Sequence, residues 1–269
     1  VGNVGATGVV VKVSGVTAAM FNATNYLGGG NVGNPGSNNI PVVAWLGTNA
    51  TELNRTVYMP PVKPQAFLWD LNGNLTNDGQ KAFLWNEENR LVAIESLVGA
   101  KRRSEYIYDS QGRRIQKTDY SAWNGSAFSI TNITRFVWDG WVLLAELAAD
   151  NLIKAYHVHG LDLSQTLQGA GGIGGLLCRI EGGTNCFYTF DGNGNVADIL
   201  DTNDVVVAHY EYDPFGRTVA QSGSFASENK WRFSTKQFDD WWGLYYYGSR
   251  FYKPGDARWL SRDPIGEED

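Results

Sequence analysis

A short, irregular repeat along most of the chain constrains its fold more than any other feature. An aromatic residue is followed by Asp or Asn, then by a turn, and then by an apolar residue. Asp and Asn side chains can bond the turn backbone, and glycine supplies a positive φ angle. Each copy predicts the end of one β-strand, a tight turn and the start of the next strand. The copies begin at Trp69-Asp70, Trp85-Asn86, Tyr108-Asp109, Trp138-Asp139, Phe190-Asp191 and Tyr212-Asp213.

Repeats of this kind predict an all-β fold. Units that cannot bury an apolar face alone bury it by stacking on their neighbours. We therefore expect antiparallel hairpins that join into one long sheet, curled or spiral like a shell. Residues 85–96 and 142–150 have some helical character, but their position in the repeat favours strands in both.

The first 62 residues lack the repeat and differ from the rest of the chain. Short β-branched runs separated by Gly and Asn turns predict a small β-sandwich-like module. Pro60, Pro61 and Pro64 mark a stiff junction, since proline fixes the backbone and cannot donate to a sheet. We predict three regions: the module at 1–62, the repeat sheet at 63–232 and a terminal region at 233–269.

The terminal region is dense in aromatic residues that alternate with glycines and single charges. It contains G-L-Y-Y-Y-G-S-R-F-Y from Gly243 and D-P-I-G from Asp263. These motifs resemble the core that ends Rhs/YD-repeat proteins, in which Gly243, Tyr246, Arg250 and Tyr252 hold pattern positions. The Tyr-Asp copy at 212–217 matches the family repeat that precedes this core. The chain departs from the pattern at 241–242, where tryptophans replace polar residues, and at 257, where alanine replaces glycine.

The resemblance implies a structural function. In the family, the repeat sheet forms a shell that encloses and delivers a C-terminal toxin or effector, in secreted or surface proteins of bacteria. The expected partners are therefore the remainder of the polypeptide or its cargo. One alternative is an extracellular filament or surface subunit that assembles through open sheet edges. Sugar binding by a row of aromatic residues such as Trp241 is a weaker alternative.

Asp263 is the strongest candidate for a catalytic residue. The resemblance implies that two D-P-x-G aspartates cut the chain, which requires paired carboxylates that share a proton. This sequence contains the first copy and not the second, so we predict no enzyme activity. A remnant of an autoproteolytic site is the alternative, and an aspartate that caps a turn before proline is the simplest structural explanation.

Charge and composition argue against two further kinds of partner, nucleic acids and membranes. The net charge of −6 argues against a nucleic-acid partner, and no apolar run approaches the length of a membrane span. The sequence predicts no cofactor. It begins Val-Gly-Asn without methionine, which we interpret as a fragment or a processed product.

Three small clusters could bind metal or form a disulfide. Asp191, Asn193 and Asn195 have the spacing of part of a calcium loop, but turn chemistry explains them better. The pair His157 and His159 could chelate a metal, although a solvent-facing or cross-strand pair is the simpler prediction. Cys178 and Cys186 flank a Gly-Gly turn, and either a cross-strand disulfide or two buried free thiols is open.

Overall fold

A computed structural model describes residues 2–3, 8–21, 25–27, 36–59 and 67–264. The chain divides into two compact units, Val1–Gln65 and Ala66–Asp269. The described residues form β-strands joined by turns, with two single-turn 3₁₀ helices at Phe233–Thr235 and Pro254–Asp256 and no α-helix. The prediction of an all-β fold is confirmed.

The first unit contains two small antiparallel sheets. One has the strand order β1-β5-β4 and the other β3-β2-β6-β7. Tyr26 of the first sheet shares a core with Val11, Val13 and Val42 of the second, as in a sandwich. The predicted junction prolines Pro60, Pro61 and Pro64 lie outside the described residues. The strands are β1 Gly2–Asn3, β2 Val10–Val13, β3 Val16–Thr17, β4 Ala19–Phe21, β5 Asn25–Leu27, β6 Gly36–Leu46 and β7 Asn49–Met59.

The second unit is built on one sheet of fourteen strands, in which every strand pairs antiparallel with its neighbours in sequence. The segments at 91–96 and 142–147 are strands, as the repeat predicted. In order along the chain, the strands are β8 Leu68–Trp69, β9 Leu75–Asn77, β10 Lys81–Trp85, β11 Leu91–Ser96, β12 Arg103–Tyr108, β13 Arg114–Trp123, β14 Phe128–Asp139, β15 Val142–Leu147, β16 Ile153–His159, β17 Leu176–Glu181, β18 Thr184–Phe190, β19 Val196–Leu200, β20 Val206–Tyr212 and β21 Thr218–Ser222.

Residues 223–264, the terminal segment, follow the last strand of this sheet. They form a small antiparallel sheet of four strands and belong to the same compact unit as the fourteen-stranded sheet. Its turn at Gly243 has a φ of +67°, which favours glycine. The strands are β22 Gln237–Asp239, β23 Leu244–Tyr246, β24 Phe251–Lys253 and β25 Arg258–Trp259.

The fourteen-stranded sheet is wound around the terminal segment. Lys253 forms an ion pair of 2.8 Å with Asp78, in the turn after β9. The adjacent Tyr252 donates its hydroxyl to the carbonyl of Phe215, in the turn between β20 and β21, at 2.9 Å. Strands in a sheet lie about 4.8 Å apart, so a flat sheet would separate these two turns by roughly 50 Å. Both ends of the sheet therefore curl onto the same segment, although β8 and β21 do not pair with each other.

Six turns share one hydrogen-bond pattern. The first residue donates its N–H to the carbonyl of the fifth, and the fourth donates to the carbonyl of the first. The side-chain oxygen of the first residue accepts from the N–H groups of the third and the fifth, and the fourth residue has a positive φ angle. An acid or amide in this position thus satisfies two turn donors. The turns begin at Asp70, Asn86, Asp109, Asp191, Asp201 and Asp213.

In four copies of the repeat, the aromatic residue that precedes the turn also has a polar role. Its N–H or O–H donates to the carbonyl of the residue that immediately follows the preceding turn of the repeat. The ring is thereby held between neighbouring hairpins while most of its surface packs on the apolar cores. The four bonds run from Trp85 to Leu75 at 2.7 Å, from Tyr108 to Leu91 at 2.6 Å, from Trp138 to Arg114 at 2.8 Å and from Tyr212 to Val196 at 2.9 Å.

Removing one turn acid tests this pattern. Asp109 accepts from the N–H groups of Gln111 and Arg113 at 2.9 Å and forms an ion pair of 2.7 Å with the Arg113 guanidinium. We expect Asp109→Ala to lower the free energy of unfolding by about 1–2 kcal/mol, since two turn donors lose their acceptor. Asp109→Asn keeps an acceptor oxygen and should lose less than about 0.5 kcal/mol, because ion pairs near the protein surface contribute little. Equal urea stabilities of the alanine variant and the wild type would contradict this role.

Candidate functional site

Two apolar cores lie between the sheet and the terminal segment, and each side supplies part of both. The first core joins Leu75, Phe83, Leu91, Ile94 and Tyr106 of the sheet to Trp242, Leu244, Tyr246, Phe251 and Leu260 of the terminal segment. The second joins Phe136, Leu143, Leu176, Cys186, Tyr188, Val196, Ile199, Ala208 and Tyr210 to Ala226 and Trp231. Four of the nine aromatic residues at 238–259 are buried, and Trp241 is partly buried against the first core. Sugar binding stays a prediction.

A polar network crosses the same interface. Glu146 of β15 accepts from the side-chain amide of Gln237 at 2.8 Å and lies 3.3 Å from Nε2 of His157. Gln237 accepts in turn from Arg114 at 2.9 Å, and that guanidinium lies 4.2 Å from the ring centroid of Tyr246. Desolvation raises the pKa of Glu146, but the contacts with His157 and nearby arginines outweigh it, and the pKa falls to about 2. This carboxylate holds the sheet to β22.

A second network lies on the neighbouring strands. The amine of Lys117 bridges the carboxylates of Asp239 at 2.6 Å and Asp119 at 3.1 Å. Asp119 also accepts from Ser104 at 2.5 Å, and Ser104 accepts from the indole N–H of Trp242 at 2.7 Å. Desolvation raises the pKa of Asp239, but Lys117 outweighs it and leaves the pKa lowered. The Lys117 cation favours the charged form of Asp239, which favours a structural role over proton transfer.

Asp263 lies at the rim formed by the first repeat turns. Its carboxylate forms an ion pair of 2.6 Å with Arg250, and its side chain is 42% exposed. This ion pair joins two positions of the terminal motifs, Arg250 and Asp263. The Arg250 guanidinium also lies 4.2 Å from the ring centroid of Trp259. Asp263 and Glu88 line one open cavity of about 530 Å³. Ile265, Gly266 and the residues after them lie outside the described residues, so the complete D-P-x-G motif is not described.

The two histidines of β16 face the interior. His157 is buried beside Glu146, and His159 bonds the carbonyl of Leu143 through Nε2 at 2.9 Å. Both rings make edge contacts with Trp231. The alternative that they face solvent is wrong, because the terminal segment covers this face of the sheet. The contacts with Glu146 and Leu143 do cross to the neighbouring strand β15. In the described part of the chain, no three His, Cys, Asp or Glu side chains group as metal ligands.

The calcium candidates occupy one of the six turns. Asp191 accepts from the N–H groups of Asn193 and Asn195 at 2.9 Å, and its second oxygen accepts from the Asn195 amide at 2.8 Å. Asp70 makes the same three bonds with Asn72 and Asn74. The geometry of both sets is that of a turn whose carboxylate oxygens are already bonded to donors.

The two cysteines are buried free thiols. In the β17–β18 hairpin Cys178 is opposite Phe187, and Cys186 is opposite Arg179. Residues that are opposite share a face, and successive residues alternate, so the two thiols lie on opposite faces of the hairpin. Of the two alternatives, the structure therefore contains two buried free thiols and not a disulfide.

The free thiols give a direct test. Burial raises the pKa of both Cys178 and Cys186, and a thiol reacts through its thiolate. We expect the native protein to react slowly with a disulfide reagent and two thiols to react at once after unfolding, with or without prior reduction. A reductant should leave the midpoint of thermal unfolding unchanged. A midpoint that falls by several degrees on reduction would indicate a disulfide instead.

The other predicted repeat positions differ in burial and in turn geometry. Tyr108, Trp138, Phe190 and Tyr212 are partly buried against the cores, whereas Trp69 is 42% exposed. Asp139 departs from the six turns, because a two-residue turn joins it to its partner in β15, Val142. In the described part of the chain, no helix is long and apolar enough to span a membrane.

Comparisons with known proteins include nucleases and toxin subunits. No protein-family profile matches the chain. The tRNA3(Ser)-specific nuclease WapA of Bacillus spizizenii is 33% identical over 206 residues, which are 76% of this chain and 8% of WapA. Toxin subunit YenC1 of Yersinia entomophaga is 41% identical over 73 residues, which are 26% of this chain and 7% of YenC1. The chain therefore spans less than a tenth of either relative.

A solved structure with a similar fold is the Tc holotoxin pore of Photorhabdus luminescens. The likeness has a TM-score of 0.56 and 20% identity, and covers 93% of this chain and 12% of that one. At this identity the likeness shows the fold alone. The sequence is thus similar to short segments of a nuclease and a toxin subunit, and its fold is similar to part of a toxin assembly.

Proposed function

We propose that residues 67–264 are the closing end of a YD-repeat β-shell, within a larger Rhs protein that encloses and delivers a toxin or effector. The observation that carries this proposal is the wound sheet, whose two ends both contact the terminal segment through Asp78–Lys253 and Tyr252–Phe215. The sheet winds around the terminal segment, which follows its last strand. At the opposite edge of the sheet, β8 is an edge strand, and further hairpins can be added there. The similarity to short segments of much longer proteins, a nuclease and a toxin subunit, supports this extension.

The terminal segment binds the rim on which the repeat turns lie. Tyr245 donates to the carbonyl of Gly216 at 3.2 Å, and Thr235 donates to that of Gly194 at 2.7 Å. The backbone N–H of Ser234 donates to the side chain of Asn195 at 2.8 Å. These bonds join consecutive turns of the rim through one segment, and they support a role in closing this end of the shell.

The chain itself is proposed to be structural and not an enzyme. The two buried networks contain carboxylates that are already paired with cations or amides, which supports this proposal. The autoprocessing alternative rests on Asp263, and it is tested by extending the chain beyond Asp269 and substituting Asp263→Asn. Cleavage at an unchanged rate would exclude Asp263 as the catalytic aspartate. The proposed location is secreted or at the bacterial surface, with the rest of the polypeptide or its cargo as the partner.

Protection of a cargo tests the proposed function. In the full polypeptide that carries this chain, a reporter domain is placed after the terminal segment and exposed to a protease. Leu244 is fully buried and Leu144 is 39% exposed, so Leu244→Ala and Leu144→Ala form a matched pair. We expect the reporter to be protected in the wild type and in Leu144→Ala, and to be cut at least several-fold faster in Leu244→Ala. A reporter cut at the same rate in all three would contradict encapsulation, and filaments in electron micrographs would favour the assembly subunit.

A further inference from the structure

One interior cavity has no part in the proposed function. It has a volume of about 250 Å³ and lies between β15, the loop at 160–175 and the terminal segment. An apolar protein cavity of roughly 150 Å³ already holds benzene, so this one has room for a ring with a short polar substituent. Its walls are largely aromatic, with contributions from Trp138, Trp141, Trp231, Tyr246 and Tyr247.

Lys236 places a positive charge in this wall. Its Nζ donates to the carbonyl of Gly171 and lies 5.8 Å from the ring centroid of Tyr247. Both of these residues also line the cavity, so the amine lies at the cavity surface between them. Lys236 is only partly buried, and a molecule in the cavity can therefore reach its amine.

No other described residue of the wall is charged at neutral pH. Desolvation lowers the pKa of His159 to about 4 and raises the pKa values of Tyr246 and Tyr247 to about 12, so these three side chains are neutral. Burial lowers the pKa of Lys236 to about 8, which still leaves most of the amine protonated at pH 7. The wall thus carries a single cation in largely apolar surroundings.

This cation has no carboxylate partner among the described residues. The carboxylate whose charge acts on Lys236 is that of Asp162, and it forms no ion pair with the amine. The two oxygens of Asp162 already accept four hydrogen bonds, from Ser164, Ala170 and Gly172. A charge in apolar surroundings is costly unless it is paired. An anionic group in the cavity would supply the partner that Lys236 lacks.

We propose that this cavity binds a small aromatic monocarboxylate, with its ring against the aromatic walls and its carboxylate on Lys236. An ammonium group has three donors, and the Gly171 carbonyl takes one of them, so two remain for the carboxylate oxygens. A ring in the ligand can pack edge to face or offset on the aromatic walls. A phosphate ester fits less well, because its second charge meets no second cation in the wall. An uncharged apolar molecule leaves the amine unpaired.

The test compares small probes that differ in charge and in the presence of a ring, on the whole chain. Three tryptophans line the cavity, so binding is followed by tryptophan fluorescence and confirmed by calorimetry. We expect one phenylacetate to bind per chain. Phenylacetamide and phenyl phosphate should bind about ten-fold more weakly or worse, because the first lacks the charge and the second has one charge too many. Acetate, which lacks the ring, should bind more weakly than phenylacetate by a similar factor.

Matched variants assign the binding to this cavity. Lys236→Met removes the charge and keeps most of the side-chain length, so it should weaken phenylacetate binding about ten-fold and leave phenylacetamide unchanged. Lys236→Arg should keep the preference for the acid over the amide, and Lys154→Met, at an exposed position, should change neither affinity.

Three results would overturn the proposal: no binding of phenylacetate, equal affinities of the wild type for phenylacetate and phenylacetamide, or phenylacetate binding that Lys236→Met leaves unchanged. The first two are measured on the wild type, so they decide the matter even if Lys236→Met does not fold. The proposed shell function is unaffected by any of these results.

Discussion

A chain that ends at Ser222 is expected not to fold its fourteen-stranded sheet. Truncation there removes one wall of both cores, including large buried side chains of the terminal segment: Trp231, Trp242, Leu244, Tyr245, Tyr246, Phe251 and Leu260. Each buried side chain of this size contributes about 1.5–3 kcal/mol. Together they amount to roughly 10–20 kcal/mol, which equals or exceeds the whole stability of a typical domain. Loss of the cooperative unfolding transition in near-ultraviolet circular dichroism would show this.

The control for the truncation removes the other end of the chain. Residues 1–65 form their own compact unit, so a chain that begins at Ala66 should keep a cooperative transition. Supplying residues 223–269 as a separate peptide should restore part of the fold to the truncated chain. A cooperative transition at an unchanged midpoint in the chain that ends at Ser222 would contradict the dependence of the sheet on the terminal segment.

Removal of the buried carboxylate is expected to have the second largest effect. Glu146→Ala leaves the amide of Gln237 without its acceptor and removes the carboxylate beside His157 inside the wound sheet. A buried donor that loses its acceptor costs about 1–3 kcal/mol, and more where the lost acceptor is charged. The matched control is Glu211→Ala, because that side chain is 64% exposed and should change stability by less than about 0.5 kcal/mol. Equal effects of the two substitutions in urea unfolding would contradict the role of the network.

The same carboxylate predicts a pH dependence. The pKa of Glu146 falls from 4.5 to about 2 on folding, so the unfolded chain binds its proton first as the pH decreases. The stabilisation by Glu146 is therefore complete above pH 4.5 and is lost as the pH falls towards 2. We expect the free energy of unfolding to fall more steeply across this range in the wild type than in Glu146→Gln. Parallel curves for the two proteins would exclude this contribution.

The turn pattern could be predicted from the sequence because it depends on local chemistry. Five of the turns are visible in the sequence as an acid or amide followed three residues later by Gly or Asn, the residues that most easily adopt a positive φ angle. The turn at Asp201 was missed because Leu200, and not an aromatic residue, precedes it. Its carboxylate accepts from the N–H groups of Asn203 and Val205, which lowers its pKa. The turn at Ala148 has the same backbone bonds without an acid at its first position, and Asp150 at its third position accepts from the N–H of Leu152 instead.

The interior of the wound sheet could not be predicted because it depends on contacts far apart in sequence. Glu146 and Gln237 are 91 residues apart, and Arg114 and Gln237 are 123 apart. An isolated strand does not reveal that its polar face is covered, which is why solvent exposure is one of the two alternatives that the sequence offers for the histidines of β16. A useful signal was available in Glu146, which interrupts the apolar run V-L-L-A-E-L on a strand. A charge at such a position indicates a partner on another element.

The winding of the sheet is tested most directly by one distance. Spin labels are placed at Gln80→Cys and Phe215→Cys, both at exposed positions, in a chain whose two native cysteines are replaced by alanine. The bonds through Lys253 and Tyr252 limit the backbone separation to less than about 35 Å. We predict a distance distribution by pulsed electron paramagnetic resonance that is centred below this value. A distribution centred at roughly 50 Å or more, the separation in a flat sheet, would contradict a ribbon wound around its terminal segment.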